Sequence, residues 1–168
     1  MRVRRPAVWL SCVLGLAPLG AGAVAPDADG WSGVYRLEWF KGSVADRRAG
    51  GPVQIVIART PDADADQTME RDRADLRRWA LTEAGSAERS PPLRPFVARD
   101  YEGWGWTATH AAGGIECIDG ERLFVCRAKP GATVAFGPVG SKQETLVAQT
   151  GLFGIVLHEG AFELKKLD

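Results

Sequence analysis

The residues that most often do catalytic or metal chemistry are sparse in this sequence. Its two histidines, His110 and His158, are far apart in the chain. Metal sites need several clustered nitrogen, oxygen or sulfur ligands, so this spacing predicts no metal site. The sequence also lacks a Gly-x-Ser-x-Gly elbow, a His-Glu-x-x-His motif and a phosphate-binding loop. We therefore predict no catalytic residue, no metal ligand and no cofactor.

The absence of a motif does not exclude an enzyme, because catalytic triads are assembled in space from residues that are distant in sequence. An enzyme hypothesis here requires His110 to lie in a cleft together with a hydroxyl and a carboxylate. The sequence itself favours a protein that binds without doing chemistry.

A short acidic run resembles the opening of a calcium-binding loop. Asp62, Asp64 and Asp66 alternate as the first ligands of such a loop do. The remainder of the pattern fails, because Gln67 stands where the sharp-turn glycine belongs and Arg73 where the bidentate glutamate belongs. The run predicts a solvated acidic loop.

The N-terminus has the three-part pattern of a secretory signal peptide. The basic residues Arg2, Arg4 and Arg5 precede an apolar stretch, roughly residues 7–19, and Ala21-Gly22-Ala23 follows. A cut after Ala25 is the alternative, but it would place Pro26 first in the mature chain. The pattern predicts a signal peptide over residues 1–23 and a single extracytoplasmic domain over residues 24–168.

Removal of the signal peptide fixes several properties of the mature chain. Cys12 lies inside the apolar stretch rather than at its end, so a lipid-modified cysteine is not predicted. No later segment is long and apolar enough to be a membrane helix. We expect an exported protein, either periplasmic or secreted, and the sequence leaves that choice and the oligomeric state open.

The charge of the mature chain excludes one class of partner. The signal peptide removes three of the 21 basic residues and none of the 21 acidic residues. The remaining chain is mildly acidic. Nucleic-acid binding needs clustered positive charge, so none is predicted.

The two remaining cysteines, Cys117 and Cys126, predict a disulfide, since an even number of cysteines in an exported protein is normally paired. They have no Cys-x-x-Cys spacing, so we expect a structural rather than a redox role. Asp119-Gly120 resembles a two-residue turn, but that register would place Arg122 opposite Cys117. A direct cross-strand disulfide instead favours a four-residue loop, residues 120–123.

Most of the mature sequence alternates apolar and polar residues with a period of two, which is typical of half-buried strands. Seven or eight such strands predict a mainly β domain with at most one short helix. The first choice is an antiparallel barrel and the second a sandwich. The alternating apolar positions are Tyr35, Leu37 and Trp39; Val53, Ile55 and Ile57; Trp79 and Leu81; Trp104, Trp106 and Ala108; Phe124 and Cys126; and Leu146 and Ala148.

The C-terminus predicts a hairpin around a two-residue Glu159-Gly160 turn. In that register Leu157 lies opposite Phe162 and Ile155 opposite Leu164, all on one face. Two other segments break the strand pattern. Residues 62–78 predict a short helix or a loop, and residues 85–95 predict a loop.

The first mature strand resembles the opening strand of calycins, the lipocalin and fatty-acid-binding barrels. The resemblance covers Trp31-Ser-Gly33-Val-Tyr35-Arg-Leu37. Asp29 departs from the lipocalin pattern, which has a glycine at that position, and the helix pair of fatty-acid-binding proteins is missing. The resemblance implies a closed barrel whose interior can hold an apolar ligand.

The segment from Tyr101 to Trp106 is the strongest candidate for a binding surface. On a strand, Glu102, Trp104 and Trp106 would share a face, and paired tryptophans offer a large rigid contact area. The alternative is that these tryptophans are core residues. The predicted ligand-binding residues are Tyr35, Trp39, Tyr101, Trp104 and Trp106. The predicted partner is a small apolar ligand or, alternatively, a protein, as for a periplasmic inhibitor or an immunity protein that blocks a toxin or hydrolase.

Overall fold

The computed structural model describes residues 29–41, 52–137 and 139–167, so the predicted signal peptide lies outside the described residues. Ten strands and two short α-helices form the described part of the chain. The strands are β1 (Gly33–Trp39), β2 (Val53–Thr60), β3 (Arg78–Glu83), β4 (Arg94–Pro95), β5 (Ile115–Asp119), β6 (Leu123–Ala128), β7 (Ala132–Phe136), β8 (Glu144–Ala148), β9 (Leu152–Val156) and β10 (Gly160–Leu167). The helices are α1 (Ala98–Gly103) and α2 (Thr107–Ala111), and a single 3-10 turn spans Glu70–Asp72.

Eight strands form one antiparallel sheet in the order β3-β2-β1-β10-β9-β6-β5-β4. The two ends of this sheet meet just before β4. There the Trp79 N–H donates to the Leu93 carbonyl at 3.0 Å, and the Leu93 N–H donates to the Trp79 carbonyl at 2.8 Å. A second bridge joins Thr82 and Arg89. The sheet is therefore a nearly closed barrel, which confirms the predicted mainly β fold class and its first choice, the barrel.

The barrel interior is filled by large apolar side chains. On β1, Tyr35 and Leu37 are buried while Arg36 and Glu38 are exposed, as the alternation predicts. None of the buried interior residues is more than 8% exposed. An eight-stranded barrel is just wide enough for side chains to fill it. The interior cluster consists of Trp31, Tyr35, Leu37, Ile55, Ile57, Trp79, Leu93, Ile118, Val125, Phe162 and Leu164.

One end of the barrel is closed by the segment that precedes β1. The Asp29 carboxylate accepts hydrogen bonds from the N–H groups of Trp31 at 2.9 Å and Ser32 at 2.8 Å. It also accepts one from the Trp79 indole N–H at 2.7 Å, which ties this segment to β3. Burial alone would raise the pKa of Asp29, but these hydrogen bonds outweigh it and lower the pKa from 3.8 to about 2. The residue that departs from the lipocalin pattern thus fastens the N-terminal end of the barrel.

A second layer covers the outer face of β5, β6 and β9, so these three strands are buried on both faces. The layer consists of α1, α2 and the β7–β8 hairpin, which is a separate two-stranded sheet. Within its core Cys117 and Cys126 lie directly opposite each other and form a disulfide, as predicted. Asp119 and Phe124 are the last residue pair before the turn, so residues 120–123 separate them as predicted, although Leu123 already belongs to β6. The outer cluster consists of Phe96, Tyr101, Trp106, Ile115, Cys117, Phe124, Cys126, Val134, Leu146, Ala148, Phe153, Ile155 and Ala161.

The Gly-Trp-Gly-Trp segment forms the turn between two short helices, so the strand predicted through Trp104 and Trp106 is wrong. Trp104 directly follows α1 and Trp106 directly precedes α2, and Gly105 between them has a left-handed φ of +71°. The first helix is fixed at its start by the Asp100 carboxylate, which accepts the Val97 N–H at 2.8 Å. The glycine therefore turns the chain between two helices, where the sequence predicted at most one.

The C-terminal hairpin is present, but its predicted register is wrong. Its turn has three residues rather than two, and the pairs of Leu157 with Phe162 and of Ile155 with Leu164 do not form. Instead Phe162 lies opposite Gly154, where an added β-carbon would be 2.2 Å from the Phe162 ring. The ring therefore selects the register, because only glycine leaves it room. The observed register differs from the predicted one by an odd number of residues, which reverses the face of one strand relative to the other. Ile155 therefore lies on the outer face, while Phe162 and Leu164 face the interior.

The two segments that break the strand pattern are mostly irregular. In residues 62–78 the only regular helical element is the 3-10 turn at Glu70–Asp72, and the preceding Met69 is 59% exposed, so the α-helix alternative does not form. Residues 85–93 run as a loop, as predicted, apart from the bridges to β3. Arg94–Pro95 form β4, which the prediction of a loop over residues 85–95 missed.

Candidate functional site

The structure separates the five aromatic residues that the sequence predicts to bind a ligand. Tyr35 and Trp39 belong to the barrel interior, whereas Tyr101, Trp104 and Trp106 belong to the outer layer. The wall of the barrel therefore lies between the two groups.

Tyr35 and Trp39 lie on the interior face of β1. Tyr35 is 1% exposed, and its hydroxyl donates to the Trp31 carbonyl at 2.7 Å. Trp39, at the other end of the strand, is half-buried and packs edge-on against Phe162 with 5.4 Å between ring centroids. Both side chains are committed to the packing of the interior.

Tyr101 and Trp106 pack in the core of the outer layer. The Tyr101 hydroxyl accepts the Cys117 N–H at 3.1 Å, and burial raises the pKa of Tyr101 above its ordinary value. Trp106 is 4% exposed, and its indole N–H donates to the Ala135 carbonyl at 2.6 Å. These two residues join the helices to the disulfide-bonded strands and to β7.

Trp104 is half-buried and lines an external groove. Its ring stacks on Trp106 with 5.5 Å between centroids and packs edge-on against Phe124 at 4.8 Å. The uncovered part of the ring faces a groove with a volume of about 1060 Å³. Trp104 is thus the predicted residue that reaches an accessible concave surface.

This groove lies between the β7–β8 hairpin and the turn that joins β9 to β10, and we call it the hairpin groove. The lining combines nine apolar with eight polar residues, and binding sites typically join an apolar surface to polar groups that orient the ligand. The apolar lining residues are Phe40, Trp104, Phe136, Leu146, Val147, Ile155, Val156, Leu157 and Ala161. The polar lining residues are Lys41, Ser141, Lys142, Glu144, Thr145, Gln149, His158 and Glu159.

Charges of both signs stand at the edge of the hairpin groove. Lys41, Lys142, Glu144 and Glu159 line it, and no ion pair within the described ranges involves any of these four side chains. His158 sits at the turn with a left-handed φ of +67° and is exposed. The groove can therefore meet polar groups of either sign at its edge.

A partly buried charge network holds α1 against the barrel. Arg94 of β4 pairs with Asp100 of α1 at 2.7 Å and with Asp119 of β5 at 2.9 Å. Asp72, at the end of the 3-10 turn, lies 3.6 Å from the same guanidinium. Burial raises the pKa of Asp119, and the charge of Arg94 opposes that shift. Because Trp104 directly follows α1, this network also positions the groove.

His110 borders a smaller cleft of about 370 Å³. Its ring stacks on Tyr101 with 3.8 Å between centroids, and its Nδ1 is hydrogen-bonded to the Ile115 carbonyl at 2.9 Å. The cleft contains one carboxylate, Glu116, which pairs with Arg127 at 2.5 Å, and none of its lining residues carries a hydroxyl. The combination that the enzyme hypothesis required is not assembled in this cleft.

In residues 29–41, 52–137 and 139–167, no group of three or more His, Cys, Asp and Glu side chains is arranged to hold a metal ion. The acidic run at Asp62 lies in an exposed loop, and Asp62 itself pairs with Arg59. Within the same ranges no helix is long and apolar enough to cross a membrane.

Sequence reasoning missed most of the hairpin groove. Phe40, Val147, Ile155 and Ala161 come from separate parts of the chain, and each is an ordinary apolar residue in or beside a strand. The signal that pointed to the groove was the unusual pairing of Trp104 with glycines. The Arg94 network was also missed, because its partners are scattered along the chain.

A comparison of the chain with models of protein families gives no match, and comparisons with curated proteins and with solved structures give none either. The function is therefore inferred from the geometry and chemistry of the groove itself.

Proposed function

We propose that this chain is an exported binding protein that does no chemistry and holds a small apolar ligand in the hairpin groove. The observation that carries this proposal is the position of Trp104, a half-buried aromatic side chain on the floor of an apolar groove. Large aromatic surfaces left partly exposed in a concave site are typical of ligand binding.

The groove is a better candidate than the barrel interior for holding the ligand. The interior contains Trp31, Tyr35, Trp79 and Phe162, each at most 2% exposed. A ligand of any size would have to displace these rings and the packing they provide. The groove needs no such displacement.

The chemistry of the groove favours an apolar ligand with a polar end. Its floor offers Ile155, Ala161 and the Trp104 ring, while Lys41 and Lys142 at its edge can receive an anionic group. The volume of about 1060 Å³ suits a ligand of drug or fatty-acid size. The Cys117–Cys126 disulfide is compatible with export, and we propose that binding takes place in the periplasm or outside the cell.

Tryptophan fluorescence tests this proposal with defined probes: dodecanoate, dodecanol and the dye 8-anilinonaphthalene-1-sulfonate. We expect at least one probe to give a saturable change in the wild-type protein. The Trp104→Ala variant should bind that probe about tenfold more weakly, a loss of about 1.4 kcal/mol. Trp39→Ala is the matched control, since Trp39 is also a half-buried tryptophan but lies in the barrel.

Two results would count against the proposal. One is the absence of a saturable change with all three probes. The other is equal weakening in the Trp104→Ala and Trp39→Ala variants, which would place the probe elsewhere.

A protein partner is the second candidate, as for an inhibitor or immunity protein. One observation favours it: among the residues that the structure describes, β8, which forms a wall of the groove, pairs with β7 alone, and no described strand covers its other edge. Unpaired strand edges are common docking sites for other chains. This candidate fails if the purified protein recovers no stoichiometric partner from its native envelope.

A further inference from the structure

The open edge of β8 presents a specific set of backbone groups. In an antiparallel pair, hydrogen-bonded and non-hydrogen-bonded residue pairs alternate along the strands. The Ala135 carbonyl accepts the Trp106 indole N–H, so it points away from β8. Ala135 and its partner Thr145 therefore form a non-hydrogen-bonded pair, and so do Thr133 and Val147 two residues further on.

It follows that the backbone groups of Thr145 and Val147 point toward the open edge. Within the described ranges, neither residue donates or accepts a backbone hydrogen bond outside its own hairpin. The edge thus presents two N–H donors and two carbonyl acceptors, spaced so that the backbone of an added strand can form hydrogen bonds with all four.

This edge runs along the hairpin groove. Thr145 and Val147 both line the groove, and Val147 is 39% exposed. A strand placed beside β8 would lie over the outer face of the β9–β10 hairpin. Every second side chain of that strand would meet Ile155, Ala161 and Trp104, and the others would face solvent.

In the part of the chain that the structure describes, this edge carries few of the features that normally protect a strand from pairing. Natural proteins shield open edges with proline, inward-pointing charges or bulges. Strand β8 has neither proline nor lysine, and its one charged residue is Glu144 at its first position. The opposite ends of the large sheet, in contrast, are joined to each other by the bridge between Trp79 and Leu93.

We propose that an extended peptide segment of a partner protein adds as a strand to β8, with its apolar residues at alternate positions on the floor of the hairpin groove. This inference rests on the second candidate of the proposed function. The occupant follows from the complementary backbone groups and from the apolar floor on one side of the added strand.

A phage-displayed library of random twelve-residue peptides tests the proposal against the wild-type protein. We expect the selected peptides to carry apolar residues at every second position. The Val147→Pro variant should bind them at least tenfold more weakly, because proline removes an N–H on the open edge without breaking the bonds to β7. Thr133→Pro is the matched control, since it removes the corresponding N–H on the opposite edge of the same hairpin.

Amide hydrogen exchange on the wild-type protein gives a second readout that needs no variant to fold. Addition of a selected peptide should slow the exchange of the Thr145 and Val147 N–H groups by tenfold or more. Unchanged exchange at both positions, or equal peptide binding by the Val147→Pro and wild-type proteins, would overturn the proposal. Self-association of the wild-type protein that the Val147→Pro variant loses would also overturn it, because the occupant would then be a second copy.

Strand addition to β8 and apolar-ligand binding in the groove can each be refuted without refuting the other. Dye binding and peptide selection are both measured on the wild-type protein, so the two results are independent of any effect of Val147→Pro on the groove. Dye binding without selected peptides refutes strand addition and leaves ligand binding in place. Selected peptides without dye binding refute the apolar-ligand proposal and leave strand addition in place.

Discussion

The barrel interior and the hairpin groove are built from the same kinds of residue but differ in how completely they are covered. In the interior every buried cluster residue is at most 8% exposed, and Asp29 and the Trp79–Leu93 bridge close the structure around it. In the groove Trp104 is half-buried and Val147 is 39% exposed, and β8 has one neighbouring strand within the described ranges. The difference indicates that the barrel serves as the scaffold, and that the apolar surface left partly exposed for binding belongs to the layer outside it.

The largest expected difference between the two regions concerns stability. Phe162→Ala should lower the free energy of unfolding by about 3–5 kcal/mol, because it removes a fully buried ring and leaves a cavity above Gly154. Trp104→Ala should cost less than half as much, since its ring is already partly solvated. Urea unfolding at neutral pH measures both values. Similar losses would contradict the contrast between a filled interior and an open groove.

Removal of the disulfide should destabilise the outer layer. Cys117 and Cys126 are nine residues apart, and the loop-entropy model gives a loss of about 2–3 kcal/mol when their bond is removed. The double variant Cys117→Ala/Cys126→Ala and the wild-type protein under reducing conditions should agree in urea unfolding. Mass spectrometry of the unreduced protein should show the two peptides linked, and two free thiols would refute the pairing.

Acid should loosen the closed end of the barrel through Asp29. Its pKa is about 2 when folded and 3.8 in the reference state, so the unfolded chain binds more protons between these values. The contribution is present above about pH 4 and is lost as the pH falls toward 2, with a total of about 2 kcal/mol. Asp29→Asn should flatten the pH dependence of the urea midpoint in this range.

Asp119 provides the control of opposite sign. Burial raises the pKa of Asp119, so near that pKa the folded chain binds more protons than the unfolded chain. The contribution of Asp119 to the free energy of unfolding therefore grows as the pH falls through this pKa. Asp119→Asn should therefore make the acid loss steeper than in the wild-type protein. If Asp29→Asn and Asp119→Asn changed the pH dependence of the urea midpoint in the same direction, the opposite pKa shifts of Asp29 and Asp119 would be contradicted.

The smallest effect on stability is expected at the open edge. Val147→Thr changes one exposed side chain on a strand without altering the backbone, so it should change the free energy of unfolding by less than about 0.5 kcal/mol. The same urea experiment measures it. A loss of several kcal/mol would show that Val147 belongs to a packed core rather than to an accessible wall.

Much of the fold was predictable because alternation is a local signal. The residues of β1 and β2 alternate cleanly, since one face packs in the barrel and the other meets solvent. The disulfide followed from counting cysteines and from the geometry that two opposed β-carbons require. The C-terminal register was not predictable, because it depends on the Phe162 ring meeting Gly154 on another strand.

The candidate site was less predictable because it is a tertiary feature. Trp104 and Trp106 alternate as strand residues do, but Asp100 and the Arg94 network fix helices there. The sequence identified Trp104 as unusual without indicating which of its faces is open. The groove itself arises only when the β7–β8 hairpin lies beside the β9–β10 turn, and no local pattern records that contact.

The central claim is that ligands enter the groove and not the barrel, and the indole N–H signals of the tryptophans test it most directly. In a ¹H–¹⁵N NMR titration with 8-anilinonaphthalene-1-sulfonate, the Trp104 indole signal should shift, together with the amide signals of Val147 and Ala161. The indole signals of Trp31 and Trp79 should stay in place. Shifts of Trp31 and Trp79 with an unchanged Trp104 would place the ligand in the barrel and contradict the account.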